Sequence, residues 1–147
     1  MAEHSYPPPV DKLLTYGDAR NFGDQWPNYL ALGLTTDHTP ELVRMATDPA
    51  LNKAHSESLE VWAPIHALRA LGQLHDETAI EPLIPLLDEV DDDDALFEEL
   101  PDVFAAFGPV AISALSAYLD NLTHTSFARV VTAGSALAQV PIGRRLA

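Results

Sequence analysis

Trp62, His66, Arg69 and Gln73 follow one another at spacings of 4, 3 and 4. On any helix that carries them, an indole, an imidazole, a guanidinium and an amide then share one face. Such a stripe offers two kinds of chemistry. An imidazole beside a carboxylate is a general-base pair, and Glu98 and Asp102 fall at matching positions of a later segment, so His66 with Asp102 is the pair to consider. Trp and Arg are also enriched at binding hot spots, which makes Trp62, His66, Arg69, Glu98, Glu99 and Asp102 a candidate interaction surface. The plainer reading of these residues is a salt-bridged seam between neighbouring helices, contributing little where exposed.

The surrounding sequence gives that pair no catalytic company. No serine-bearing elbow turn accompanies it. The chain has no cysteine, which excludes disulfides, zinc–thiolate sites and a thiolate nucleophile. The six histidines, His4, His38, His55, His66, His75 and His124, stand apart, none four residues from another, a poor basis for a metal site. Asp91 to Asp94, with Glu89 before and Glu98 and Glu99 after, is the densest charge. It lacks the alternation and the glycine of a calcium loop. It reads as a solvated connector whose acids favour the next helix N-terminus, or as a contact for a basic partner. The seven glycines form no phosphate loop. The expectation is a protein that is not an enzyme, with no catalytic, cofactor or metal residues.

Charge narrows the partners. With 22 acidic against 8 basic residues the formal net charge is −14. Nucleic-acid binding needs a basic face, and an anionic membrane surface is disfavoured for the same reason. A basic protein partner is compatible; solubility alone would explain the charge equally well. The first nine residues have neither a basic segment nor an apolar core of a secretory signal. No uninterrupted apolar run is read as long enough to span a bilayer. A cytoplasmic location follows as the expectation.

The elements that must position these groups read as helices. Residues 1–10 are expected to be extended, with polyproline character at Pro7 to Pro9. Short helices are predicted near Asp11–Tyr16 and Trp26–Leu34. Phe22, Trp26 and Tyr29 are expected to cap the first core. Thr39, Pro40 and Glu41 look like an N-cap, a first-turn proline and a favourable acid, with Leu42, Met45 and Ala46 on one face. From about Ser58, Ala63, Ala67, Ala70, Leu71 and Leu74 make a 3.6-residue stripe, closed by Gly72 and a His75-Asp76 turn. Ile80, Leu83, Ile84, Leu87 and Val90 mark the next helix, which Pro85 should bend. Leu96, Leu100, Phe104 and Phe107 mark another, with Pro101 implying a kink or a later start. Ile112 to Leu122 and Phe127 to Leu137 complete the series.

The helix ends repeat. Ala31-Leu32-Gly33, Ala70-Leu71-Gly72, Ala106-Phe107-Gly108 and Ala136-Leu137-Ala138 recur at separations of 39, 36 and 30, within the range of helical repeat arrays. Hairpins with Ala on one side and Leu or Ile on the other bury their stripes only by stacking. Ala67-Leu68-Arg69-Ala70-Leu71-Gly72 followed by Ala79-Ile80-Glu81-Pro82-Leu83-Ile84-Pro85-Leu86-Leu87 resembles the HEAT-like repeat of the phycobilisome-lyase type. Ser56 to Ala67 is similar to the N-terminal part of uncharacterised bacterial HEAT-like proteins. Some longer members of that group carry a Cys/His zinc-binding tail. This chain has no cysteine, so no metal carries over.

The expected fold is therefore all-α: a short right-handed α-solenoid of antiparallel hairpins, one domain over 11–147. Its repeats are placed near 26–52, 58–90 and 95–122, with a half repeat at 126–147. The expected function is a protein-interaction or scaffold module. Two alternatives stand beside it: chromophore or cofactor handling, which the resemblance to bilin lyases suggests, and acidic inhibition of a basic protein. Because no helix is seen to follow Val140, Phe127, Val130, Val131 and Leu137 form an expected association face for a second copy or a partner.

Overall fold

The computed structural model describes residues 6–23, 25–54, 57–91, 93–120 and 127–140, and among them all regular structure is helical, with no strand. The chain divides into two compact units, residues 1–74 and 75–147. One domain was expected over 11–147, and the division cuts through the expected repeat 58–90.

In the first unit, the described chain ahead of Thr39 forms only 3₁₀ turns, Val10–Thr15, Ala19–Phe22, Tyr29–Leu32 and Thr36–His38. Residues 1–5 of the expected extended start lie outside the described residues; past them the chain turns, the Asp11 N–H donating to Pro7 O at 3.2 Å and Lys12 N–H to Pro9 O at 3.1 Å. The predicted helix over Trp26–Leu34 shrinks to the four residues Tyr29–Leu32, ended by Gly33 at φ 96°. Helix α1 (Thr39–Ala46) starts as read, but its cap lies a turn earlier. Thr35 and His38 form a reciprocal capping box on the preceding turn, and Thr39 is buried. Leu42, Met45 and Ala46 are buried together as expected. Asp48 caps α2 (Pro49–Asn52), accepting from Ala50 N–H at 2.9 Å.

Helix α3 (Ala63–Leu74) is the centre of this unit, packing against α1, α2 and the 3₁₀ turns at Val10–Thr15, Tyr29–Leu32 and Glu60–Trp62. Every residue from Ala63 to Gly72 is buried. Its Ala/Leu stripe is therefore only half of what it hides. Leu68 and Leu71, fully enclosed, each contribute about 2 kcal/mol from removal of apolar surface from water. Gly72 lies inside the helix, which is closed instead by His75 at φ 58°.

In the second unit, α4 (Ile80–Leu83) tightens at once into the 3₁₀ segment Ile84–Glu89. Pro85 lacks the N–H that would reach Glu81 O, so the α pattern cannot continue past it. Ile80, Leu83, Leu86, Leu87 and Val90 are buried. Asp93 accepts from Leu96 N–H at 3.2 Å and starts α5 (Asp94–Phe107) two residues earlier than expected, and the helix runs through the buried Pro101. After α6 (Ile112–Asp120) comes α7 (Phe127–Gln139), which packs mainly on α5 and also on α6. Leu96, Leu100, Val103, Phe104 and Phe107 meet Leu115, Ala133, Ala136 and Val140 in this core. The small residues on α7 let the axes approach closely.

One sequence reading needs correction. Asp94–Asp120 contains a stretch of mean hydropathy 1.5, long and apolar enough to cross a membrane by length and composition. Gly108, at φ 85° and ψ −162°, separates α5 from α6. The resulting helices of 14 and 9 residues are each shorter than the roughly 20 residues a span requires.

Candidate functional site

The polar stripe of α3 is covered by the segment between Tyr6 and Leu34. His66 is fully buried, with Nε2 2.7 Å from Gly17 O and Nδ1 2.7 Å from the Tyr29 hydroxyl. A carbonyl oxygen can only accept, so Nε2 carries the proton, and Nδ1 accepts from the Tyr29 O–H; this network assigns the tautomer. Burial favours the neutral form of the ring. Tyr16, Phe22 and Tyr29 surround it with centroids at 5.2, 5.8 and 5.7 Å. Burial lowers the His66 pKa from the usual 6.5, against a smaller opposing effect of the bond to Gly17; Arg69 lowers it further and Asp18 raises it.

Gly17 sits at φ 76°, and a Cβ there would meet Leu59 Cδ2 at 2.9 Å, so the carbonyl that holds His66 is presented by a residue suited to glycine. One turn beyond Arg69, Gln73 grips the same segment by its backbone. Its Nε2 donates to Pro27 O at 2.8 Å, and its Oε1 accepts from Tyr29 N–H at 3.1 Å. Arg69, also buried, lies 5.5 Å from the Trp26 ring, and Arg20 lies 5.2 Å from the Trp62 ring. Arg20 also forks onto Asp18 at 3.0 and 2.7 Å, which holds the Asp18 carboxyl below its ordinary range.

A second anchor lies at the start of the segment. The Tyr6 hydroxyl donates to Asp48 Oδ2 at 2.6 Å while the other Asp48 oxygen caps α2. Burial, then the Asp48 bond, raises the Tyr6 pKa. Arg44 stacks 4.0 Å over the Tyr6 ring and pairs with Glu41 at 2.7 Å. Beside it a shallow groove of about 350 Å³ is lined by Arg44, Thr47, Asp48, Pro49 and Ala50.

In the second unit, the polar cluster ties the end of the Ile84–Glu89 segment to α6 and α7. Tyr118 O–H donates to Asp88 Oδ1 at 2.8 Å, Arg129 donates to Asp88 O at 3.0 Å, and Arg129 pairs with Asp91 at 3.1 Å. Thus the acidic connector splits in use: Asp91 binds Arg129 and Asp93 caps α5. Asp92 lies outside the described residues.

Of the six residues expected to form a surface, three lie in the first unit and three in the second. His66 and Arg69 are not on a surface at all; the segment before α1 covers them, and that segment has no periodic pattern to announce it. Trp62 is half-buried. Glu98 and Asp102 are exposed on α5, with Glu99 half-buried. Both nitrogens of His66, the imidazole considered as a base with Asp102, are engaged within the first unit. Of the expected association face, Val130, Val131 and Leu137 are half-buried on α7, and the Phe127 side chain lies outside the described residues. Tyr6, Tyr16, Gly17 and Asp48 were missed. The one available signal was the aromatic density of Tyr16, Phe22, Trp26 and Tyr29 ahead of α1. Among the described residues, no group of three or more His, Asp or Glu side chains is placed to hold a metal ion.

The imidazole, guanidinium and amide of α3 are all engaged in joining it to the segment before α1. Residues 65–89 match the family model of the PBS lyase HEAT-like repeat, the repeat type that this part of the chain is similar to. No curated protein and no solved structure matches the chain. From Ala70 to Ala128 there is no lysine or arginine, while thirteen Asp and Glu residues fall there.

Proposed function

We propose that this chain is a non-catalytic interaction module whose hairpins stack as a short right-handed α-solenoid, and that it receives a basic protein on the acidic side of its second unit. The observation that carries the reading is the distribution of charge within that unit. Glu81, Glu89, Asp94, Glu98 and Asp102 are exposed. Arg129, the cation among its described residues, is engaged by Asp88 and Asp91. Acids in such excess attract and orient a basic partner over about a Debye length, near 8 Å at physiological ionic strength. The family match supports a scaffold role, because the repeat's pattern specifies packing surfaces. Inhibition of a basic site on another protein would use the same chemistry.

The test is affinity isolation from the native cell with the wild-type chain and with E98K/D102K, each at 0.1 and 0.5 M salt. One set of proteins should be enriched by the wild type, lost with the charge-reversed variant and released by salt. Recovery of the same proteins by both forms, or of none with the wild type, refutes the acidic surface. A solved structure in which the hairpins close into a bundle refutes the solenoid.

A further inference from the structure

The segment between Tyr6 and Leu34 is an unusual covering for a central helix. Its described regular structure is 3₁₀ turns of four to six residues, which have little stability of their own. Beside the buried Val10 and Leu13, the Gln73 grip and the Tyr6–Asp48 anchor, one ring fastens its middle: His66 Nε2 on Gly17 O and His66 Nδ1 on the Tyr29 hydroxyl, both at 2.7 Å and enclosed. Two points of the segment, twelve residues apart in sequence, are fastened by a single imidazole. We propose that this segment is a strap latched to α3 by neutral His66, and that acidification opens it as a unit, uncovering the Trp62, His66, Arg69 and Gln73 side of the helix. The inference stands apart from the partner proposed above.

Geometry gives the sign. A second proton can enter only at Nδ1, which is the atom accepting from Tyr29. The protonated ring would donate from both nitrogens, so the Tyr29 hydroxyl would have to accept where it now donates. The charges that bear on the ring are Arg69 on α3, which opposes a cation, and Asp18 on the strap, whose carboxylate is already forked by Arg20. The titratable neighbours are the Tyr16 and Tyr29 phenols. Helix α1 directs its charges, Glu41 and Arg44, to the Tyr6 anchor instead. The opened imidazole titrates near 6.5 while the latched one resists the proton. Latch stability is therefore complete above that pH and falls as pH drops below it.

The magnitude follows from that difference. If only the open form binds the proton near 6.5, the opening constant rises about 10-fold between pH 7.5 and 5.5, a window in which the Asp18 carboxyl, held below its ordinary range by Arg20, stays ionised. Hydrogen exchange on the whole chain, corrected for the intrinsic rate, should show protection at strap amides such as Tyr29 falling about 10-fold. Amides within α3 and α5 should change less than 2-fold. H66Q should abolish the difference, and H38Q should retain it. Unchanged strap protection overturns the proposal, as does loss in step with α3 and α5. Should H66Q fail to fold, the wild-type ring decides: a His66 NMR titration centred at 6.5 in the folded protein also overturns it.

Discussion

Tyr29→Phe isolates the hydrogen bond that fixes the His66 tautomer. The Tyr29 ring is fully buried and meets Tyr16 and His66 at 5.6 and 5.7 Å, and phenylalanine keeps those ring contacts. What disappears is the O–H donated to His66 Nδ1 at 2.7 Å, leaving a buried acceptor without a donor. Leaving one such group unsatisfied costs about 1–3 kcal/mol. The truncation Tyr29→Ala, which also removes the ring, should cost about 3–5 kcal/mol. Urea titration at pH 7.5 followed by tryptophan fluorescence reads this directly, since Trp26 and Trp62 both lie in the first unit. A double-mutant cycle with His66→Phe should return a coupling of at least about 1 kcal/mol. If Tyr29→Phe costs under about 0.5 kcal/mol, water reaches Nδ1 and the account of a dry latch is wrong.

Two further substitutions test the breaks that end the helices. Gly108 has a φ of 85° and a ψ of −162°, and the space a Cβ would take there has no other atom within 4 Å; Gly108→Ala should therefore destabilise the second unit through the backbone alone, by about 1–3 kcal/mol, seen as a lower midpoint in circular dichroism melts. His75→Gly should act the other way. It relieves a non-glycine residue at φ 58° just past α3 and should stabilise by about 0.5–1 kcal/mol, and a loss in the same melts would mean that the His75 side chain makes a contact worth more than the strain.

The helices were legible where one apolar stripe explained one buried face. Leu42, Met45 and Ala46 on α1, and Leu96, Leu100, Phe104 and Phe107 on α5, show the period and are buried as read. Boundaries were lost to local competition: the box formed by Thr35 and His38 displaced the cap expected at Thr39, and Pro85 converted the end of its helix to 3₁₀. The site was only half legible. The stripe from Trp62 to Gln73 was visible, but polar residues at helical spacing ordinarily face water. Here aperiodic chain supplies a carbonyl, a phenol and two indole or guanidinium stacks to meet them. Such a covering has no repeat to detect, because each of its contacts is made by a different residue type at irregular spacing.

The long interval without cations has a consequence for regulation. The chain's two lysines, Lys12 and Lys53, both belong to the first unit and are exposed. Acetylation, methylation or ubiquitination of a lysine can therefore mark only that half of the protein. Lys12 rides on the covering segment itself, so an enzyme that modifies it alters the piece of chain that shields α3, while the acidic half stays chemically silent to such marks.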